Sequence, residues 1–193
     1  MSAPILRAVE CTPVNGRLLY IVGPSGSGKD SLIDYARSRL PAGVNVVFAK
    51  RTITRPASAG GENHIAVTAA EFDARLTAGA FAMHWRANGL AYGIGREIHN
   101  QLDEGGTVVV SGSRAHLPRA LADFPDMKVV AITASPETLR ARLNSRGRED
   151  TANIQARLAR APSFALPPGT AAFEISNDGD IAQAGGRLLG LLA

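Results

Sequence analysis

The stretch GPSGSGKDS, Gly23 to Ser31, puts glycines and a lysine where a chain can hold phosphate. The pattern G-x-x-x-x-G-K-[ST] wraps main-chain N–H groups around an anion, aims a lysine at the outer phosphates and ends on a hydroxyl that ligates Mg²⁺. Gly23, Gly28 and Lys29 match it, with Pro24, Ser25, Gly26 and Ser27 as the intervening turn. Glycines let successive N–H groups face inward as an anion nest, and a helix starting at its end adds a positive pole. Lys29 is therefore expected to reach the β- and γ-phosphates of a nucleotide such as ATP, and Ser31 the α-phosphate. The position that should carry the hydroxyl is Asp30. A carboxylate beside phosphates is repelled unless a cation lies between them. In many such proteins an acid at the end of a neighbouring apolar strand helps hold the metal. Here the stretch TVVVSGS ends in Val110, Ser111, Gly112 and Ser113, without one. One place has gained a carboxylate and the other lacks it, so Asp30 is expected to ligate Mg²⁺ in a rebuilt site. The competing reading is a degenerate loop that Asp30 has crippled.

The remaining chemistry-bearing residues are mostly arginines, whose planar fork binds phosphate bidentately. Arg51 and Arg55 stand in RTITRP, Arg114 follows SGS, and RARLNSRGRE supplies Arg142, Arg146 and Arg148, with Arg157 and Arg160 beyond. Phosphoryl transfer asks little covalent work of a protein, so positioned cations dominate its rate. The histidines and the single cysteine, Cys11, show no zinc-ligand spacing.

The elements that must position these residues alternate between strand and helix. RLLYIV, VNVVFA, TVVVSG, KVVAITA and AAFEISN read as buried strands. SLIDYARSRL, GREIHNQLDEGG, PETLRARLNSRG, TANIQARLAR and DIAQAGGRLLGLLA read as helices. AAEFDARLTAG is a helix capped by Thr68 and ended at Gly79, and RAHLPRALADF a helix interrupted at Pro118. FAMHW alternates like an edge strand, followed by a turn in ANGLAYG. RTITRPASAGGEN, Arg51 to Asn63, reads as a long polar loop, a length that implies a function. The alternation predicts an α/β protein with a parallel sheet flanked by helices and ligands at the carboxyl ends of its strands, where the glycine loop falls.

A chain of 193 residues with 45% hydrophobic content fits one domain with a sizeable core. With one cysteine no internal disulfide forms, and neither a secretory signal nor a membrane-length apolar run is present, so the cytoplasm is the expected compartment. The net charge is +4, but the basic residues are dispersed and aromatics are 5%. Small polyanions are expected as partners rather than nucleic acid.

GPSGSGKDSL, RTITRP, HW…GLAYG, SPETLRARLNSRGRE…IQARL and ISNDG occur in the order found in guanylate kinases, a resemblance covering about Arg17 to Asp180. It implies a guanylate-kinase-like P-loop NTPase fold in one domain: a core (17–50, 95–136, 162–193), an acceptor-binding insertion (51–94) and an arginine lid (137–161). By family position Arg55 and Tyr92 grip the acceptor phosphate. Arg146 and Arg157 act with Lys29 on the transferring phosphates, Arg142 lies near them, and Asn177 touches adenine. His84 falls where the family carries a glutamate that reads guanine, and Ile94 replaces a hydroxyl residue. A pocket lacking both is poorly built for guanine. With Asp30, RPASAGGENHIA and SGSRAHLP, the chain resembles instead the ribose 1,5-bisphosphate phosphokinases of phosphonate degradation. That resemblance implies MgATP and a sugar bisphosphate as substrates, 5-phosphoribosyl 1-diphosphate as product, and Arg51, Arg55, His64, His84, Tyr92 and Arg114 around the acceptor, in a monomer or homodimer. A guanylate-type kinase and a catalytically inactive binding module are the alternatives, the latter disfavoured because a peptide binder needs no γ-phosphate clamp.

Overall fold

The computed structural model describes residues 16–59, 62–145, 166–167 and 170–193. Arg17–Val22 (β1) is the strand its apolar run predicts: Leu18 to Val22 are all buried, as in a strand covered on both faces. It is the central strand of a five-stranded parallel sheet with Val46–Phe48 (β2), Thr107–Ser111 (β7), Lys128–Thr133 (β8) and Ala172–Ser176 (β9). The order is β2-β7-β1-β8-β9.

Alternate residues of β1 feed two cores. Leu19 and Ile21 join Leu32, Ile33 and Ala36 of helix Lys29–Arg37 (α1) and Ala184, Leu188 and Leu192 of helix Ile181–Leu192 (α6). Leu18, Tyr20 and Val22 face the other way. They meet Met83, Trp85 and Ile94, together with Ile98 of helix Glu97–Asp103 (α3) and Leu117 and Ala120 of helix Leu117–Asp123 (α4).

A second sheet is built from residues 51–95. Its strands are Arg51–Ile53 (β3), Ile65–Ala66 (β4), Phe81–Ala87 (β5) and Leu90–Gly95 (β6), in the order β4-β3-β6-β5. The expectation that Arg51 to Asn63 is all loop is therefore corrected. Its first three residues pair antiparallel with β6 through Arg51↔Ile94, Thr52↔Gly93 and Ile53↔Tyr92, and all three are buried. A polar strand recruited by a partner about forty residues away leaves no local apolar signature. The turn expected in ANGLAYG shrinks to Asn88 (φ 50) and Gly89 (φ 75), the paired left-handed residues of a tight hairpin, and β6 begins at Leu90. β5 is the edge strand expected.

Helix Ala69–Thr77 (α2) starts with the Thr68 cap, completed by Glu71 as a reciprocal capping box. Pro118 does not interrupt α4 but lies in its first turn, where a missing N–H has no helical partner to lose. Helix Pro136–Ser145 (α5) opens the expected lid, whereas Arg146, Arg148, Arg157, Arg160 and the helix expected at TANIQARLAR lie outside the described residues. Among the described residues no helix is long and apolar enough to cross a membrane.

Candidate active site

The glycine loop joins β1 to α1 at the carboxyl end of the parallel sheet. Gly26 (φ 90) and Gly28 (φ 81) take left-handed conformations that L side chains disfavour. A Cβ on Gly28 would also stand 2.4 Å from the Asn177 amide nitrogen. α1 starts at Lys29 with no side-chain cap, so among the described residues no capping side chain occupies its first-turn N–H groups, which suit an anion. Asn177 Nδ2 donates to the Ser27 carbonyl at 2.6 Å, and Arg142 donates to the same oxygen at 3.4 Å. Two residues expected around the nucleotide thus brace the loop from the β9 and α5 sides. Ser27 Oγ and Asn177 Oδ1 are buried without a hydrogen-bond partner among the described residues.

At the start of α1, charges alternate. Lys29 Nζ lies 3.3 Å from Asp30 Oδ1, which also accepts from Ser111 Oγ at 3.0 Å and lies 3.7 Å from the Arg51 guanidinium. Burial pulls the Lys29 ammonium down from its ordinary pKa, opposed by the Asp30 charge. Burial disfavours the Asp30 carboxylate, but the Lys29 and Arg51 charges and the Ser111 hydrogen bond outweigh it and hold its pKa below the usual value. All these contacts reach Oδ1, so Oδ2 has no hydrogen-bond or ion-pair partner among the described residues.

The acid absent from the end of β7 has a counterpart in the loop, in contact with that strand. A hydroxyl from the loop and an acid from the neighbouring strand form the usual magnesium pair. Here Asp30 supplies the acid from the loop and Ser111 the hydroxyl from the strand, in contact at 3.0 Å. The two groups are both present with their chain positions exchanged. Among the described residues no cluster of three or more His, Cys, Asp or Glu could hold a metal alone. One carboxylate and a hydroxyl beside substrate phosphates is the sparse donor set that Mg²⁺ accepts.

Across a cleft of about 240 Å³ stands Glu62, which sequence reasoning missed. Its carboxylate accepts from Arg51 Nε at 2.7 Å and from Arg51 Nη2, and its other oxygen accepts from Arg55 at 3.2 Å. Arg51 also donates to the Ser111 carbonyl at 3.2 Å, so it ties β3, β7 and the Glu62 loop together. The arginine keeps 9% of its exposure and engages carboxylates more than it faces solvent. Arg55 retains free capacity: its Nε is buried with no partner among the described residues. The His64 ring spans the loop, with Nδ1 3.0 Å from the Glu62 carbonyl and Nε2 3.0 Å from the Arg55 carbonyl. It fastens Arg55 and Glu62 through their main-chain carbonyls and is not itself among the residues lining the cleft.

Tyr92 stacks on Trp85 at 5.5 Å and 2°, with the Arg51 guanidinium 5.6 Å from its ring. Trp85 in turn stacks on buried His116, whose ring lies 3.1 Å from the Tyr20 hydroxyl. That hydroxyl accepts from the Ser113 N–H at 3.0 Å, and burial pushes the Tyr20 pKa up to about 12. Gly112 rests on the Tyr20 ring, where a Cβ would come within 2.1 Å of the ring carbon. Tyr20 thereby anchors the turn that presents Ser111. His84 is exposed on the opposite face of β5 from Trp85, and Arg114 is half-buried in the turn before α4. The structure thus brings Lys29, Asp30, Ser111, Arg51, Glu62 and Arg55 into one network and leaves His84 outside it.

The fold and this site define a phosphate-loop nucleotide-binding protein of guanylate-kinase-like build. An AAA domain family matches residues 19–160. A guanylate kinase from Anaplasma phagocytophilum superposes with a TM-score of 0.68, covering 92% of this chain and 85% of that one, at 18% identity; the likeness is one of fold. Sequence relatives go further. A "Ribose 1,5-bisphosphate phosphokinase PhnN" from Chromobacterium violaceum is 56% identical over 90% of this chain and 92% of its own. One of the same name from Thiobacillus denitrificans is 51% identical over 92% and 93%. The chain belongs to the ribose 1,5-bisphosphate phosphokinase PhnN family.

Proposed function

We propose that this chain transfers the γ-phosphoryl group of ATP to the 1-phosphate of ribose 1,5-bisphosphate, giving 5-phosphoribosyl 1-diphosphate and ADP. The names of its relatives support this reading. The single observation that carries it is the continuous charge network from Lys29 through Asp30 and Arg51 to Glu62 and Arg55. It links a phosphate-loop lysine directly to an acceptor cleft.

In this reading the loop N–H groups and Lys29 cradle the β- and γ-phosphates, and Asp30 Oδ2 with Ser111 Oγ would hold Mg²⁺. A bound Mg²⁺ would neutralise charge on the phosphates and allow a carboxylate beside them. Arg55, whose Nε has no partner among the described residues, takes the acceptor phosphate, a role assigned with it to Tyr92 and Arg114. An acceptor phosphate oxygen is already a nucleophile, so no general base is needed. It forms a bond to the γ-phosphorus as the bond to the β,γ-bridging oxygen breaks, and ADP leaves with that electron pair. Arg146 and Arg157, in the lid assigned to 137–161, meet the transferring group, and the insertion at 51–94 holds the sugar. The cytoplasm suits a substrate set of this kind.

The test is ADP release by the purified protein with MgATP and either ribose 1,5-bisphosphate or GMP. Release with the sugar bisphosphate alone is expected. Release with GMP alone would replace this reading with a guanylate-type kinase, and silence with both would leave a nucleotide-binding module.

A further inference from the structure

A cleft built to take phosphates contains a carboxylate that phosphates should avoid. Glu62 lines it with 17% of its side chain exposed, so it is neither sealed away nor solvated. Phosphate and carboxylate both carry negative charge and both only accept hydrogen bonds. A carboxylate offers about four lone-pair directions. Arg51 fills two, through Nε and Nη2 on Oε2, and Arg55 fills one on Oε1. Among the described residues one direction on Oε1 remains open, and only a hydrogen-bond donor or a cation can use it.

The other two carboxylates of the cleft have different settings. Asp30 receives Lys29 and Ser111 on Oδ1 and its open Oδ2 is assigned to Mg²⁺, and Asp34 is 65% exposed and paired with Arg37 at 2.9 Å. A sugar bisphosphate brings two phosphates that seek cations and ring hydroxyls that seek an acceptor. Arg51 and Arg55 hold Glu62 rigidly between them, next to the residues assigned to the acceptor phosphate. We infer that Glu62 accepts a hydrogen bond from a ring hydroxyl of the sugar and determines specificity for a hydroxylated acceptor. The inference rests on the reading of the site as a sugar-bisphosphate kinase. It also gives a base-free pocket a means of discrimination, because a site built to bond a hydroxyl strongly rejects an analogue without it.

The experiment compares kcat/KM for ribose 1,5-bisphosphate with its 2-deoxy and 3-deoxy analogues, in wild type and in Glu62→Gln. Wild type should disfavour one analogue by roughly 10- to 100-fold, the range of a hydrogen bond to a charged group. Glu62→Gln should lose a similar factor on the parent sugar and bring that ratio close to one. Glu62→Asp, which keeps the charge but withdraws it by one methylene, should collapse the ratio as well. A Glu62 that merely braced the arginines would lower all three substrates alike and leave the ratio intact, overturning the inference. So would a raised Mg²⁺ requirement with the ratio unchanged, which would make it a metal ligand. Should both variants fold poorly, calorimetric binding of the three sugars to wild type decides, equal affinities overturning the inference. No turnover of the parent sugar by wild type would instead defeat the functional reading beneath it.

Discussion

Replacing Arg51 by Met keeps most of the side-chain volume and removes the charge that joins two sheets at the site. Arg51 is 9% exposed. It contacts both Glu62 through two nitrogens and the Ser111 carbonyl at 3.2 Å, and lies 3.7 Å from Asp30. Breaking a buried ion pair from one side costs about 3–5 kcal/mol, because the partner is left uncompensated. Here Glu62 keeps Arg55 and the Asp30 side chain is 44% exposed, so solvent and the second arginine reduce the loss to about 2–3 kcal/mol. At about 2–4 °C per kcal/mol for a domain of this size, the melting temperature should fall by roughly 4–12 °C. Adding Glu62→Gln removes the stranded charge and should restore about 1 kcal/mol. Urea unfolding followed through Trp85, the single tryptophan, measures both steps. Arg51→Met within about 0.5 kcal/mol of wild type, or a double variant less stable than Arg51→Met, would refute the bridging role.

If Asp30 and Ser111 are an exchanged metal pair, Asp30→Ser and Ser111→Asp should each weaken Mn²⁺ binding with ADP, read by electron paramagnetic resonance. The double exchange should recover much of it; a double variant no better than the singles would argue against the pair. Gly112→Ala puts a Cβ 2.1 Å from the Tyr20 ring and should destabilise by about 1–3 kcal/mol in urea, with weaker Mn²⁺ binding in the presence of ADP because the Ser111 turn shifts. Asp178 accepts from the Ser135 N–H at 2.6 Å, which with the Thr138 and Ser176 hydroxyls lowers its pKa from 3.8 to about 2. A depressed carboxylate stabilises fully above its unfolded pKa and loses that contribution as pH falls through the folded one. The stability difference between wild type and Asp178→Asn should therefore narrow between about pH 4 and pH 2.

The phosphate loop and the central sheet were legible because their signals are local: a glycine spacing, a run of buried apolar residues, a breaking proline. The exchange of acid and hydroxyl was half legible, since Asp30 and the acid-free end of β7 were both visible but their contact was not. β3 was misread as loop because Arg51 and Thr52 are polar and become strand only by pairing with β6. Pro118 was misread because a proline inside a helix and one in its first turn look alike without the helix start. Glu62 carried no signal at all: an acid among glycines and polar residues acquires meaning only when Arg51 and Arg55 close on it in space. His64, read as an acceptor ligand, gains its place through backbone carbonyls that no sequence pattern displays.

The central claim concerns where one phosphoryl group goes. Wild type given ATP labelled at the γ-phosphorus and ribose 1,5-bisphosphate should place the label on the outer phosphate of a 1-diphosphate, with the 5-phosphate unlabelled. Label released as inorganic phosphate, or carried at any other position of the sugar, would contradict the account.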